Sequence, residues 1–250
     1  MQDYIIADER NWVSEDHQPG LPARGSGIAR LAPPMIETTK KTIERLPVNE
    51  AFAAPADSAA VERAVAALCN HGFDARAVDS AAEAREMLLS LIPEGAEVGE
   101  GASITLDQIG VTEALEKSGR YDAVRPRTRS MDRATQMREI RKLGAAPDFQ
   151  VNSVQAVTED GRLVIASATG SQLTPMAFGA GKLILVAGSQ KIVPDLAAAF
   201  RRVEEYSYPL EDAKMQELYG AHSAVRKMLI LNSDSPGRTT VILVREPVGT

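Results

Sequence analysis

The residues best suited to chemistry lie in short segments that combine glycine with hydroxyl side chains. VGEGASITL, residues 98–106, sets two glycines around Glu100 and then alternates hydroxyl and apolar residues. A strand that ends in glycine lets a ligand approach the backbone. A helix starting just beyond it offers unpaired N–H groups and a positive dipole end to an anion. In that reading Gly99 and Gly101 provide the approach, and Ser103 and Thr105 add hydroxyl donors. The segment lacks the third glycine of GxGxxG, and no Gly-Lys-Ser/Thr follows, so neither nucleotide fingerprint is present. A tight strand-to-helix turn capped by Thr105 is the plain alternative.

Two further segments have the same character. ATGSQ, residues 168–172, puts Gly170 and Ser171 at a strand-to-helix turn, and GSQK, residues 188–191, leads to Lys191. In a parallel sheet, the turns at the strands' C-terminal ends gather along one edge, where ligands bind. Lys191 would act there as a point charge, or it is a surface lysine near a helix start. Glu159, beside the Asp160-Gly161 turn, is the best carboxylate for covalent or acid–base work; as the polar tip of a hairpin it would be inert. His222 offers a base, yet no Ser/His/Asp set follows from spacing.

These segments must be held by regular elements. Residues 1–34 are broken by Pro and Gly and read as an arm, followed by a short helix from Ile36 to Leu46 that stops at Pro47. Val61, Val65, Leu68 and Cys69 form a helical stripe with Gly72 past its end. Residues 73–78 read as a strand. Ser80 and Glu83 form a capping box for a helix carrying Met87, Leu88 and Leu91. Residues 96–99 are the next strand, and a helix capped at Thr105 is expected to run to Gly119.

Residues 120–142 carry eight basic side chains against three acidic ones, either a solvated face or an anion-facing patch, with Met131, Met137 and Ile140 on a helix. Residues 149–158 read as one strand, paired back by 163–166 through the Asp-Gly turn. Gln172 closes a segment expected to open a helix. Residues 182–187 form a buried strand, and a helix after Pro194 turns Leu196, Phe200 and Val203 inward. The strands 228–231 and 239–244 read as a closing hairpin. Alternating strands and helices imply an α/β fold: a three-layer arrangement with a mostly parallel sheet and helices on both faces.

Bulk properties narrow the function classes. The 250 residues suffice for one domain, with 1–57 as arm and short helix and 58–250 as the α/β domain. A net charge of −6 argues against nucleic acid as the main partner. No apolar run approaches the ~20 residues of a membrane helix, and no signal peptide opens the chain, so a cytoplasmic protein is expected. A single cysteine, Cys69, excludes an intrachain disulfide and a cysteine-held iron–sulfur or zinc site in this chain. Its three histidines lack metal-binding spacing, so no metal and no cofactor is expected here.

VQAVTEDG (154–161), Thr169-Gly170 and GSQKIVPD (188–195), together with VGEGASITLDQIG, resemble the LUD (lactate-utilisation) domain family over roughly residues 58–250. The resemblance implies a fold related to sugar-phosphate isomerases and coenzyme A transferases. It also implies a part in oxidising L-lactate to pyruvate, alongside separate iron–sulfur partner subunits. Many relatives carry a C-terminal cysteine cluster, whereas this chain has Ser233-Asp-Ser-Pro-Gly237; members also tend to have Asn where Ser171 stands. Thr158-Glu-Asp-Gly161 is similar to the Ser-Glu-Asn-Gly turn whose glutamate is the nucleophile in some coenzyme A transferases.

The leading expectation is therefore a self-associating lactate-utilisation component that binds a small anionic ligand. Its contacts would be Gly99, Gly101, Ser103, Thr105, Gly170 and Ser171, with Lys191 and Glu159 as the catalytic candidates. The alternatives are a stand-alone isomerase or transferase acting on a phosphorylated or coenzyme A-linked substrate, and a regulatory module that meets an acidic partner through residues 120–142.

Overall fold

A computed structural model describes residues 45–250. The expected arm, and the expected 36–46 helix except for Arg45 and Leu46, lie outside the described residues. Six strands form a fully parallel sheet in the order β1-β10-β7-β4-β2-β3: β1 (Asp74–Val78), β10 (Thr239–Val244), β7 (Lys182–Gly188), β4 (Phe149–Ser153), β2 (Glu97–Glu100) and β3 (Asp122–Ala123). A second sheet of four has the order β8-β5-β6-β9, from β8 (Ile192–Val193), β5 (Ala156–Thr158), β6 (Leu163–Ser167) and β9 (Lys227–Leu231).

The alternation along β7 shows why its apolar run must be a central strand. Leu183, Leu185 and Ala187 enter one core with Ala60, Val61, Ala64 and Leu68 of α1 (Ser58–Asn70) and with Val157, Leu163 and Ile165 of the second sheet. Ile184 and Val186 enter the other, against Ala84 and Leu88 of α2 (Ala81–Ser90), Leu106 of α3 (Ile104–Gln108), and Val111 and Leu115 of α4 (Val111–Lys117). One face of the large sheet is thus covered by helices, the other by α1 and the second sheet together. The outer face of the second sheet packs Ala156, Val164 and Val193 on Ala199 of α7 (Leu196–Arg202) and on Val203.

Several local expectations are corrected. Residues 149–158 are two strands in two sheets, because the chain leaves β4 at Ser153 and crosses over before β5. The closing hairpin does not form: β9 pairs antiparallel with β6, while β10 inserts parallel between β1 and β7. The reason lies in β10 itself, whose Val241–Val244 stretch is buried on both sides and needs two neighbours. The helix expected from Thr105 to Gly119 breaks at Gly110, which sits at φ +72° and separates α3 from α4. Its cap is Ser103, whose Oγ accepts from the Leu106 amide, and this leaves the Thr105 hydroxyl for another use.

Met131 lies in a turn between α5 (Val124–Arg129) and α6 (Met137–Ala145). The segment after Gln172 becomes a π-helical turn, Pro175–Gly179. Phe200 is 37% exposed, and Arg202 takes the inward position on α7. Among the described residues, no helix is long and apolar enough to cross a membrane.

Candidate functional site

β7, β4 and β2 are neighbours in the large sheet, and a polar cavity of about 70 Å³ opens where the chain leaves their C-terminal ends. From beyond β2 come Ser103 and Thr105, from β4 Asn152 and Ser153, and from the short 3-10 helix after β7 (Ser189–Lys191) comes Lys191. Gln155 and Gln172 reach in from the second-sheet side, and α8 (Tyr208–Tyr219) contributes Glu211 and Lys214.

Lys191 is only 3% exposed. Its Nζ lies 3.0 Å from Thr105 Oγ1, 3.0 Å from Ser153 Oγ and 3.2 Å from the Val154 carbonyl oxygen. The two hydroxyls are 3.1 Å apart, which closes a triangle. No carboxylate among the described residues pairs with this lysine. Burial pushes its pKa from 10.5 down to about 7, with repulsion from the Arg202 guanidinium adding to the effect. The amine thus changes charge near neutral pH.

Gly249 lids this triangle: it adopts φ +77°, and a Cβ there would lie 2.0 Å from Thr105 Oγ1 and 3.1 Å from Lys191 Nζ. The tail is fixed by Gln190 Nε2, which donates to the Val248 and Gly249 carbonyls, and by Gln108 Oε1, which accepts from the Gly249 amide. Behind the site, the fully buried Arg202 donates to the carbonyls of Gln190 and Gln155 and to Ser207 Oγ. Burial lowers its pKa to about 10, which leaves it a cation at neutral pH.

The two glutamines are oriented by their surroundings. Gln155 Oε1 accepts the Ala166 amide at 2.8 Å, and Gln172 Oε1 accepts from Ser167 Oγ at 3.0 Å and Ser171 Oγ at 3.4 Å. With both carbonyl ends occupied, neither Nε2 donates to an acceptor among the described residues, and both side chains line the cavity. Across the cavity, burial raises the pKa of Glu211, opposed by nearby Lys214.

The sequence candidates divide sharply. Ser103, Thr105 and Lys191 line the cavity; Gly99, Gly101, Gly170, Ser171 and Glu159 do not. The Gly101 amide donates to Asn152 Oδ1 at 2.9 Å, and the Gly170 amide donates to Ser167 Oγ at 2.8 Å, so both amides are already engaged within the protein. A Cβ on Gly99 would meet Gln150 Oε1 and Pro147. Glu159 sits at the end of β5, where its Oε2 accepts from Arg63 Nε at 2.6 Å. His222 pairs with buried Asp212. Burial works against that carboxylate, yet hydrogen bonds from Ser223, His222 and Gln216 keep its pKa below the usual value.

Residue spacing missed Ser153, Gln155 and Arg202. The first two carried a usable signal, since Asn152, Ser153 and Gln155 interrupt an otherwise strand-like apolar run with polar side chains, of which Asn152 and Ser153 are buried.

Fold and cavity define an α/β protein with a polar site at the C-terminal edge of a parallel sheet. The chain matches the LUD domain model over residues 61–244 and belongs to that family, which is associated with lactate utilisation. A crystal structure of a DUF162 family protein from Deinococcus radiodurans aligns with a TM-score of 0.49 and 13% identity, covering 76% of this chain and 99% of that one. No curated protein matches the chain.

Proposed function

We propose that the chain is a lactate-utilisation component that binds a small carboxylate in the Lys191 cavity and works with separate iron–sulfur partner subunits. One observation carries the reading: a buried lysine with no carboxylate partner lines a polar cavity. An uncompensated buried charge is costly, and a carboxylate ligand would offset that cost.

The chemistry of the lining fits such a ligand. As an ammonium, Lys191 spends its three N–H groups on Thr105, Ser153 and Val154, so it would act on the anion through space. With Lys191 donating to both hydroxyls and Thr105 donating to Ser153, the Ser153 hydroxyl proton can turn to a ligand, and the Gln155 and Gln172 amides supply further donors. The small volume favours a carboxylate of a few heavy atoms over a coenzyme A ester. The single cysteine, Cys69, supports the assignment of electron transfer to partner subunits.

Thermal shift tests the binding: lactate and pyruvate should raise the Tm of the native chain and leave Lys191→Met unmoved. Affinity should fall as pH rises through about 7, because the ligand stays anionic while Lys191 loses its charge. Lactate oxidation by the isolated chain with a dye acceptor would contradict the accessory role.

A further inference from the structure

The Lys191 triangle has a second consequence when the amine is neutral. A neutral amine has two N–H groups and one lone pair. The Val154 carbonyl can only accept, so it takes one N–H; of the two hydroxyls, one receives the other N–H and one donates to the lone pair. Two cyclic arrangements satisfy every group; in the one that keeps the Thr105-to-Ser153 bond, Lys191 donates to Thr105, Thr105 donates to Ser153, and Ser153 gives its proton to the Lys191 lone pair. In it the Ser153 proton already points at a base 3.0 Å away. Nucleophile, base and a third orienting group within hydrogen-bond reach are the signature of an activated serine.

We propose that Ser153 is a nucleophile with Lys191 as its general base and Thr105 as the positioning residue, acting on esters or thioesters of a short, polar acyl group. Ser153 Oγ attacks the acyl carbon, and its proton passes to Lys191 Nζ as the Oγ–C bond forms. The Gln155 and Gln172 amides are the donors available to the developing oxyanion. Collapse breaks the bond from the acyl carbon to the leaving oxygen or sulfur, which departs with the bonding pair and takes the proton from Lys191. Water then attacks the acyl-serine, giving its proton to the same nitrogen. The acid is released as Ser153 recovers a proton, and no oxidant or reductant is consumed. This activity stands apart from carboxylate binding, since it uses the neutral amine and needs no anionic ligand.

The charged side chains around Lys191 are Arg202 of α7 and Glu211 and Lys214 of α8, and Thr250, the last residue, lines the same cavity; α3 and β4 present only neutral hydroxyls to the amine, and Val154, just past β4, its carbonyl. The test uses the full chain, a small alkyl fluorophosphonate and 4-nitrophenyl acetate, with intact-mass and peptide-mapping readouts. One phosphonyl or one acetyl group is expected on Ser153, at a rate that rises with pH through about 7. Ser153→Ala should abolish the label, and Lys191→Met should slow it by about a hundredfold or more. Thr105→Val should lower the rate while leaving the site of labelling unchanged.

Ser153→Cys, alkylated by iodoacetamide, reports whether reagents reach this position. An unlabelled native chain overturns the proposal whether or not that cysteine reacts. A label that persists in Ser153→Ala, or a rate indifferent to Lys191→Met, overturns it too. Failure here leaves the carboxylate-induced Tm shift untouched, so the two readings fail separately.

Discussion

Lys191 and Glu100 are both buried, and burial brings both pKa values to about 7, the lysine from above and the glutamate from below. Their surroundings differ. Glu100 lies between the end of β2 and α4, its side chain 2% exposed, and it receives the Thr112 hydroxyl at 2.5 Å and Arg125 at 3.2 Å. Its charged form has a cation beside it, and it does not line the cavity, although its Oε2 has no hydrogen-bond partner. Lys191 has only neutral partners and does line the cavity. Desolvation alone therefore does not mark a site; desolvation without a counter-charge, next to open volume, does.

The largest effect should come from Lys191→Met. Burial lowers the folded-state pKa, so between about 7 and 10.5 the unfolded chain binds more protons than the folded one and stability rises with pH. Removing the amine should flatten that slope and raise the Tm at neutral pH, while the shift induced by lactate or pyruvate disappears. A variant that loses stability at pH 7 would mean that the lysine is a structural post. The contrast with Glu100 would then be empty.

Gly249→Ala attacks the same site from its lid. The left-handed backbone costs about 1 kcal/mol for a residue with a Cβ. The new methyl group must also displace the Thr105 hydroxyl that orients Lys191. A destabilisation of about 2–3 kcal/mol by denaturant titration is expected, with a weakened carboxylate response.

Glu100→Gln is the opposite control. Its folded pKa is raised, so the folded chain holds the extra proton between about 4.5 and 7, and the corresponding stability is lost as pH rises through that window. The amide keeps an oxygen for Thr112 and Arg125 without titrating. Calorimetry should show the variant more stable at pH 8 by about 1 kcal/mol and equal to the native chain near pH 4.5, with ligand response unaltered.

These contrasts also show what the sequence made legible. Periodicity and caps located α1, α2, β1, β2 and β7, because amphipathic helices and buried strands write their packing into local order. Thr105 and Lys191 were visible as residue types at strand ends. The glycines beside them were read as a backbone cradle, but Gly101 and Gly170 spend their amides on Asn152 and Ser167. Long-range pairing was not readable: β10 and β9 are separated by seven residues yet lie in different sheets. That partition is decided by which faces remain to be buried, not by the turn between the strands. Ser153 was hidden for the same reason, inside what local pattern rendered as one strand.

The smallest effect is expected at Glu159, the other carboxylate singled out by its motif. Its side chain answers Arg63 at the outer end of β5, with 26% exposure on the glutamate and 56% on the arginine, so solvent screens most of the attraction. Lys191, which precedes β8, holds the cavity end, whereas Glu159 follows β5 and lies beyond the paired stretch Val157↔Ile192 and Thr158↔Val193. The two candidates therefore sit at opposite ends of one short parallel pair. Glu159→Gln should leave Tm, carboxylate-induced shift and serine labelling within experimental error of the native values. A loss of labelling with an unchanged Tm would show that the hairpin reaches the cavity in a conformation other than this one, and would return Glu159 to the chemistry.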